Sequence, residues 1–164
     1  MTNFLTRFKA GAYIAIFWFL LFFSLLFVCN LQKKDAFYDY FAGFCNVEFC
    51  YITNCGDAFT SNHIVQTNNC QFVYFDKDCS NVNMNKVLYK QVSFDKKSFN
   101  KLKFFNDFNI YEIKSEFVDD IAIIYGYSPS FKDVIYVSEN KINFQIAIGE
   151  NVVTIGYPMI FGSY

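Results

Sequence analysis

The side chains best suited to chemistry are gathered in one short stretch. Cys45, Cys50, Cys55, Cys70 and Cys79 are spaced C-x4-C-x4-C-x14-C-x8-C, and no cysteine follows them. Three chemistries are open to such a cluster. Disulfides would staple the stretch in an oxidising compartment. Five is odd, so one thiol at least would stay free or bond between chains, and any four could pair in three ways that spacing does not choose between. Buried, unpaired thiols are the second option. A metal or cluster is the third, but it favours C-x2-C spacing, which is absent, and a lone histidine is a poor fourth ligand. Disulfides are the expected outcome, with no metal and no cofactor.

His63 is the only histidine, so any Ser–His or Cys–His catalytic pair must use it. The thiols nearest to it in sequence are Cys55 and Cys70, neither in a C-x-x-C context. Ser61, Asn62 and His63 are expected instead to supply hydrogen bonds in a cysteine-rich loop. Asp76, Asp78, Ser80 and Asn83 resemble the start of a calcium loop, yet Asn81 and Val87 stand where that loop needs Gly and Glu. Asp119 and Asp120, with Glu116 nearby, could bind a cation or move a proton, but a turn at a strand end is the expected reading. The glycines are dispersed and form no phosphate-cradling G-x-G or G-K-[ST]. No catalytic residue is expected, and the chain is read as a non-enzyme.

The element that places all of this is an uncharged apolar run over residues 10–29, preceded by Arg7 and Lys9. Twenty helical residues at about 1.5 Å each span roughly 30 Å, the hydrocarbon thickness of a bilayer. Phe17, Trp18, Phe19, Phe22 and Phe23 make the run apolar around its whole circumference, unlike a surface helix. The run exceeds the core of a cleaved signal, and neither Phe27-Val28-Cys29 nor Lys34-Asp35-Ala36 offers a small-residue cut site. Lipidation at Cys29 would call for a small residue before it, where Val28 stands. The run is therefore expected to be a retained signal-anchor. The basic N-terminal tail favours a cytoplasmic N-terminus, and the cysteine cluster favours a C-terminal domain on the periplasmic or extracytoplasmic side. The mitochondrial inner membrane is the alternative location.

Of the 14 basic and 15 acidic residues, only Arg7 and Lys9 precede residue 30, so the remainder carries net −3. That balance argues against nucleic acid as a partner, since such binding rests on clustered cationic charge. None of the asparagines lies in an N-x-S/T acceptor, so nothing points to a glycosylated surface. The 23 phenylalanines and 12 tyrosines, with abundant Asn, Lys and Ile, match the usage of AT-rich genomes, bacterial or organellar. Some of these aromatics must be exposed, where they could form a recognition surface, although most are expected in a core.

Four segments are expected: a basic tail over 1–9, the anchor over 10–29, a juxtamembrane helix and Cys-rich loop region over 30–70, and an antiparallel-sheet domain over 71–164. Asp35 can cap a short helix whose Phe37, Tyr40, Phe41 and Phe44 share one face, suited equally to the membrane interface or to the domain. Residues 43–69 read as loops with short turns. Strands are expected at 71–75 and 87–94, then a helix over 95–105, capped by Asp95, with Phe99, Leu102 and Phe105 on one face. Strands at 110–117 and 118–125 follow. Strands at 131–137 and 142–148 join through a Glu139-Asn140 turn, with Ile142, Phe144, Ile146 and Ile148 on one face and Asn143 and Gln145 on the other. A tight turn at Gly149, Glu150 and Asn151 leads into a strand over 152–155. The class is α+β: one transmembrane helix, then a small antiparallel sheet with one or two short helices.

Within residues 120–164 the stretches Tyr127-Ser128-Pro129, Lys141-Ile142-Asn143-Phe144-Gln145-Ile146-Ala147 and the terminal Ile155-Gly156-Tyr157-Pro158-Met159-Ile160-Phe161-Gly162-Ser163-Tyr164 resemble the tail of the YwmB family of secreted bacterial proteins. The resemblance covers about a quarter of the chain, contains no catalytic signature, and implies an exported α+β domain. The cysteine cluster and the aromatic content depart from that family.

The expected function is that of a membrane-anchored extracytoplasmic domain that binds rather than catalyses, with the membrane and other membrane or envelope proteins as partners. An accessory structural subunit of a multi-subunit membrane complex, organelle-encoded in one version, is the alternative. A thiol-dependent enzyme built on the cysteine cluster is the weaker one.

Overall fold

Glu48–Asn54 reads Glu-Phe-Cys-Tyr-Ile-Thr-Asn, and its five inner residues are all buried. Aromatic and β-branched residues suit an extended backbone. Burial of consecutive residues means that both faces of the strand are covered, so the period-2 signal of a half-exposed strand is missing. The computed structural model describes residues 16–24, 36–56, 61, 63–75 and 86–161. They fall into two units, 1–38 and 39–164.

In the first unit, residues 16–24 form helix α1, with large apolar side chains exposed, Trp18 at 63%. No helix among the described residues is long and apolar enough to cross a membrane. Positions 10–15 and 25–29 of the expected anchor lie outside the described residues, as does the expected cap Asp35. Helix α2, Ala36–Phe41, straddles the boundary between the units.

The second unit is sheet-rich, with few helices: α+β, as expected. Its strands are β1 (Glu48–Asn54), β2 (His63–Gln66), β3 (Cys70–Phe75), β4 (Val87–Asp95), β5 (Tyr111–Val118), β6 (Ile121–Tyr127), β7 (Ile135–Val137), β8 (Asn140–Ile142), β9 (Phe144–Ile148) and β10 (Val152–Tyr157). Eight form one antiparallel sheet in the order β2-β3-β1-β4-β10-β9-β6-β5, while β7 and β8 make a separate hairpin. Strands β1 and β2 correct the reading of 43–69 as loops, and β1 lies inside the sheet, between β3 and β4.

Directly paired residues of antiparallel strands share a face. Phe49, Val92, Phe94, Val153, Ile155, Ile146 and Phe144 line one face and form the core. Aromatic rings cover it. Phe41 lies 5.1 Å from Phe94 and 5.6 Å from Phe104, and Tyr40 lies 5.0 Å from Phe108. Tyr40, Phe41 and Phe44 therefore pack on their own unit. Each favourable ring pair adds about 0.5–1.5 kcal/mol beyond the area it buries.

Helix α3, Lys101–Asp107, is shorter than the helix expected over 95–105 and uses another face. Asp95 ends β4, paired with Val152, and makes no capping bond. It accepts from Asn46 Nδ2 at 2.9 Å instead. Lys96–Ser98 is a single 3₁₀ turn, and the true cap is Asn100, whose side chain accepts from Lys103 N at 3.0 Å. Phe104 and Phe108 are buried, whereas Leu102 is 76% exposed. The helix closes at Asn109, whose φ of 51° is the left-handed conformation that asparagine tolerates.

The β9–β10 hairpin lies where the sequence puts it, but the expected strand over 142–148 breaks at Asn143 into β8, in its own hairpin with β7, and β9, in the large sheet. Gly149 N donates to Val152 O at 3.0 Å, which closes the turn between β9 and β10. The earlier hairpin turns at Ser138 and Glu139, both at positive φ, one residue before the expected Glu139-Asn140, and its first strand is only β7. Asp119, at φ 52°, and Asp120 form the two-residue turn between β5 and β6. Gln145, paired with Gly156, does face away from the core, while Asn143 sits in the bend between β8 and β9; both are buried, which their polarity did not foretell.

Candidate functional site, a polar row across the sheet

On the face opposite the helices, register brings one residue from every strand of the large sheet into a single row. His63 pairs with Tyr74, Tyr74 with Cys50, Cys50 with Gln91 and Gln91 with Gly156. Gly156 pairs in turn with Gln145, Gln145 with Tyr125 and Tyr125 with Lys114. The lone histidine, a thiol, two tyrosines, two glutamines and a lysine thus share a face, around one glycine.

The middle of the row is occupied by the chain's own end. A Cβ on Gly156 would stand 2.2 Å from the backbone carbonyl of Met159, so only glycine lets the C-terminal segment lie this close. The glutamines on either side hold that segment. Gln145 Oε1 accepts from Ile160 N at 3.1 Å, and Gln91 Oε1 accepts from Phe161 N at 2.9 Å. Phe161 also packs on Tyr89, ring to ring at 4.8 Å. Buried polar side chains are tolerated where each has a partner, and here the partner is backbone.

The chemistry at the His63 end is quiet. Cys50 is 3% exposed and hydrogen-bonded to Tyr74, and burial pushes its thiol up to about 12. Burial, then the Cys50 thiol, pushes the Tyr74 hydroxyl to about 12 as well. Because the thiolate is the nucleophile, a thiol kept protonated is inert at neutral pH. His63 is exposed on the edge strand β2, its ring 5.9 Å from that of Tyr74. Ser61 Oγ donates to His63 O at 3.3 Å, the kind of loop hydrogen bond expected there. At the other end, Lys114 pairs with Glu116, which also accepts from Tyr125 OH at 2.7 Å. The Lys114 hydrogen bond, then that of Tyr125, lowers the Glu116 carboxyl. Glu116 is thus committed to neighbours, while Asp119 and Asp120 are exposed in their turn.

A second polar knot ties β9 to the loop after β6. Asn143 Oδ1 accepts from Ser128 N at 2.7 Å, and its amide donates to Ser128 O at 2.7 Å and Phe131 O at 3.1 Å. The Ser128 hydroxyl donates to Phe108 O, behind helix α3. Tyr157 OH donates to Asp133 Oδ2 at 2.7 Å, and burial pushes this phenol up to about 12.

The cysteines occupy three different environments. Cys45 is exposed before β1, Cys50 is buried in the row, and Cys55 and Cys70 lie together beyond the far end of β1; all four are free thiols. Cys79 lies outside the described residues, as does the Asp76, Asp78, Ser80 and Asn83 pattern. Among the described residues no group of three His, Cys, Asp or Glu could hold a metal ion. Phe17, Trp18, Phe19, Phe22 and Phe23 all lie exposed on α1.

Two shallow depressions lie on the helix-bearing side, of about 520 and 260 Å³. Lys96 and Glu150 border both, and Phe117 walls the larger. Lys96 Nζ is committed to Gly149 O at 3.0 Å. Sequence reasoning missed Gln91, Gly156 and Tyr74. Their only signal was a polar or glycine residue at alternate strand positions, which also describes a solvated face.

No protein-family model, no curated protein and no solved structure matches this chain.

Proposed function

We propose that this chain is a membrane-anchored extracytoplasmic domain that acts by binding, as a non-enzymatic component of a membrane or envelope assembly. The observation that carries the reading is the uncharged run over 10–29, whose described part, α1, exposes its large apolar side chains. Exposed apolar surface of this kind is stable in hydrocarbon and costly in water. The non-enzymatic part is supported by the state of the row, in which the buried Cys50 thiol is held protonated and the only histidine faces a tyrosine. The YwmB-like tail and its implied export belong to the same proposal.

The test uses the full chain in its native membrane. Resistance to alkaline extraction, with the C-terminal domain cleaved by protease added from the extracytoplasmic side, is the expected result. Release by alkaline carbonate, or protection of the domain from that protease, would overturn the anchor or its orientation. A second reading, an accessory subunit of a multi-subunit membrane complex, is favoured by edge strand β5, where Phe117 is 80% exposed and Tyr111, Ile113 and Val118 are exposed beside it. Crosslinking in the native membrane separates the two: a fixed set of neighbours reached from α1 supports the subunit, and lipid alone around α1 supports the tether.

A further inference from the structure

Cys55 and Cys70 are brought to one place by the pairing of β1 with β3. Asn54, the last residue of β1, pairs with Cys70, the first of β3, and Cys55 follows Asn54 directly. With strands about 5 Å apart and about 3.3 Å per residue, a residue one step past a paired position stands roughly 6 Å from the partner's Cα. That is within the Cα separation of a disulfide, and Cys55 lies past the end of β1, in a turn with Gly56, where strand alternation does not hold it to the face opposite Cys70. Both thiols also meet the same residue. Cys55 Sγ donates to Thr67 O at 3.2 Å, and Cys70 Sγ lies 3.3 Å from Thr67 Oγ1. Thr67 is itself held against Cys70, its N–H and its hydroxyl both donating to Cys70 O, at 2.9 and 2.8 Å.

The other described thiols are placed elsewhere. Cys50 is buried within β1 and pairs in register with Tyr74. Cys45 precedes β1, and seven residues at about 3.3 Å put roughly 20 Å of strand between it and Cys55. Cys55 is exposed and Cys70 half-buried, so a small oxidant can reach them.

We propose that Cys55 and Cys70 form a disulfide that staples the end of β1 to the β2–β3 hairpin. It forms by thiol–disulfide exchange with a low-molecular-weight disulfide. One cysteine thiolate attacks the small disulfide, giving a mixed disulfide and releasing one small thiol. The second cysteine, as thiolate, attacks the protein sulfur of that mixed disulfide, the Sγ–Sγ bond forms, and a second small thiol leaves. Two electrons pass from the protein to the small disulfide, and the two protons end on the released thiols. The pairing follows from the folded sheet and does not rest on the membrane reading above.

The test oxidises the full-length protein, natively folded in detergent and freed of reductant, with glutathione disulfide. Remaining thiols are then blocked with N-ethylmaleimide and the digest is read by mass spectrometry. The expected result is a Cys55–Cys70 crosslinked peptide in the native protein, with Cys45 and Cys50 alkylated once the chain is unfolded. In denaturant the same oxidation should scatter across the cysteines. In C55S, Cys70 should be recovered alkylated, and in C70S, Cys55. Recovery of Cys55 and Cys70 as separate alkylated peptides, or linkage of either chiefly to Cys79 or Cys45, would overturn the pairing. So would an unchanged crosslink distribution in denaturant.

Discussion

Gln145 on β9 reaches the backbone N–H of Ile160, which it accepts at 3.1 Å, on the face of the sheet away from the helices. This bond joins a strand in the middle of the sheet to the chain's last described turn, and Gln91 repeats it one residue later from the other side of β10. Two glutamines and a glycine therefore turn a sheet face into a cradle for a backbone. The cradle accounts for three residues that would otherwise read as solvent-facing.

Removing either support should loosen the C-terminal segment. Gln145→Ala leaves the buried Ile160 N–H without its acceptor, at a cost of about 1–3 kcal/mol. Gly156→Ala sets a Cβ 2.2 Å from Met159 backbone atoms, which are not free to swing aside as a side-chain tip would be, so it should cost at least as much. The urea midpoint reads both, and two variants as stable as wild type would mean that the segment is not bound this way.

Helix α3 can be tested by its two faces. Phe104 is fully buried among Phe41, Phe108 and Phe144, so Phe104→Ala should lose about 3–5 kcal/mol. Leu102→Ala, on the exposed face, should stay within about 0.5 kcal/mol. If the two losses were reversed in thermal or chemical unfolding, the face expected from the sequence would be the right one.

Asn143 is fully buried, and its side chain makes three hydrogen bonds to the Ser128 and Phe131 backbone. Asn143→Ala strands one donor and two acceptors, and a loss of roughly 2–4 kcal/mol is expected. A neutral substitution would show that water satisfies the pocket as well as the amide does.

The buried thiol has an alkaline signature. Cys50 rises from 9.0 in the free side chain to about 12 in the fold, and Tyr74 from 10.0 to about 12. The folded state holds these protons more tightly than the unfolded chain does. Their stabilisation is complete below pH 9 and is lost as pH climbs from 9 through 12. Cys50→Ala should flatten the thiol's part of that decline in a pH series of unfolding midpoints. In the native protein Cys50 should also resist iodoacetamide while Cys55, which is exposed, reacts. Equal alkylation of the two would refute the burial of Cys50.

How much of this was legible varied from one segment to the next. The β9–β10 hairpin showed itself because Ile146 and Ile148 alternate with residues of another type and Gly149 marks the turn. The aromatic stripe of α2 was equally plain, although spacing did not say that Tyr40 and Phe41 would meet Phe104 and Phe108 rather than a membrane. Strand β1 was invisible, since Cys50 and Ile52 are buried on one face while Phe49 and Tyr51 are buried on the other. A strand covered twice carries no alternation. Asp95 was misread as a cap because nothing local shows that it is held in the ladder opposite Val152.

The amino-acid sequence by itself determined the local matters: an uncharged run of bilayer length, an antiparallel hairpin near the C-terminus, a net negative remainder, and five of the six cysteines gathered between residues 45 and 79. Only the tertiary structure buried Cys50 and set Cys55 and Cys70 against the same Thr67. Only it revealed that Gln91, Gly156 and Gln145 stand in one row beneath the returning chain. Periodicity reports what a residue's own strand does. Burial of a polar side chain depends on what crosses above it, and here that is a segment tens of residues away in sequence from Gln91 and in direct contact in space.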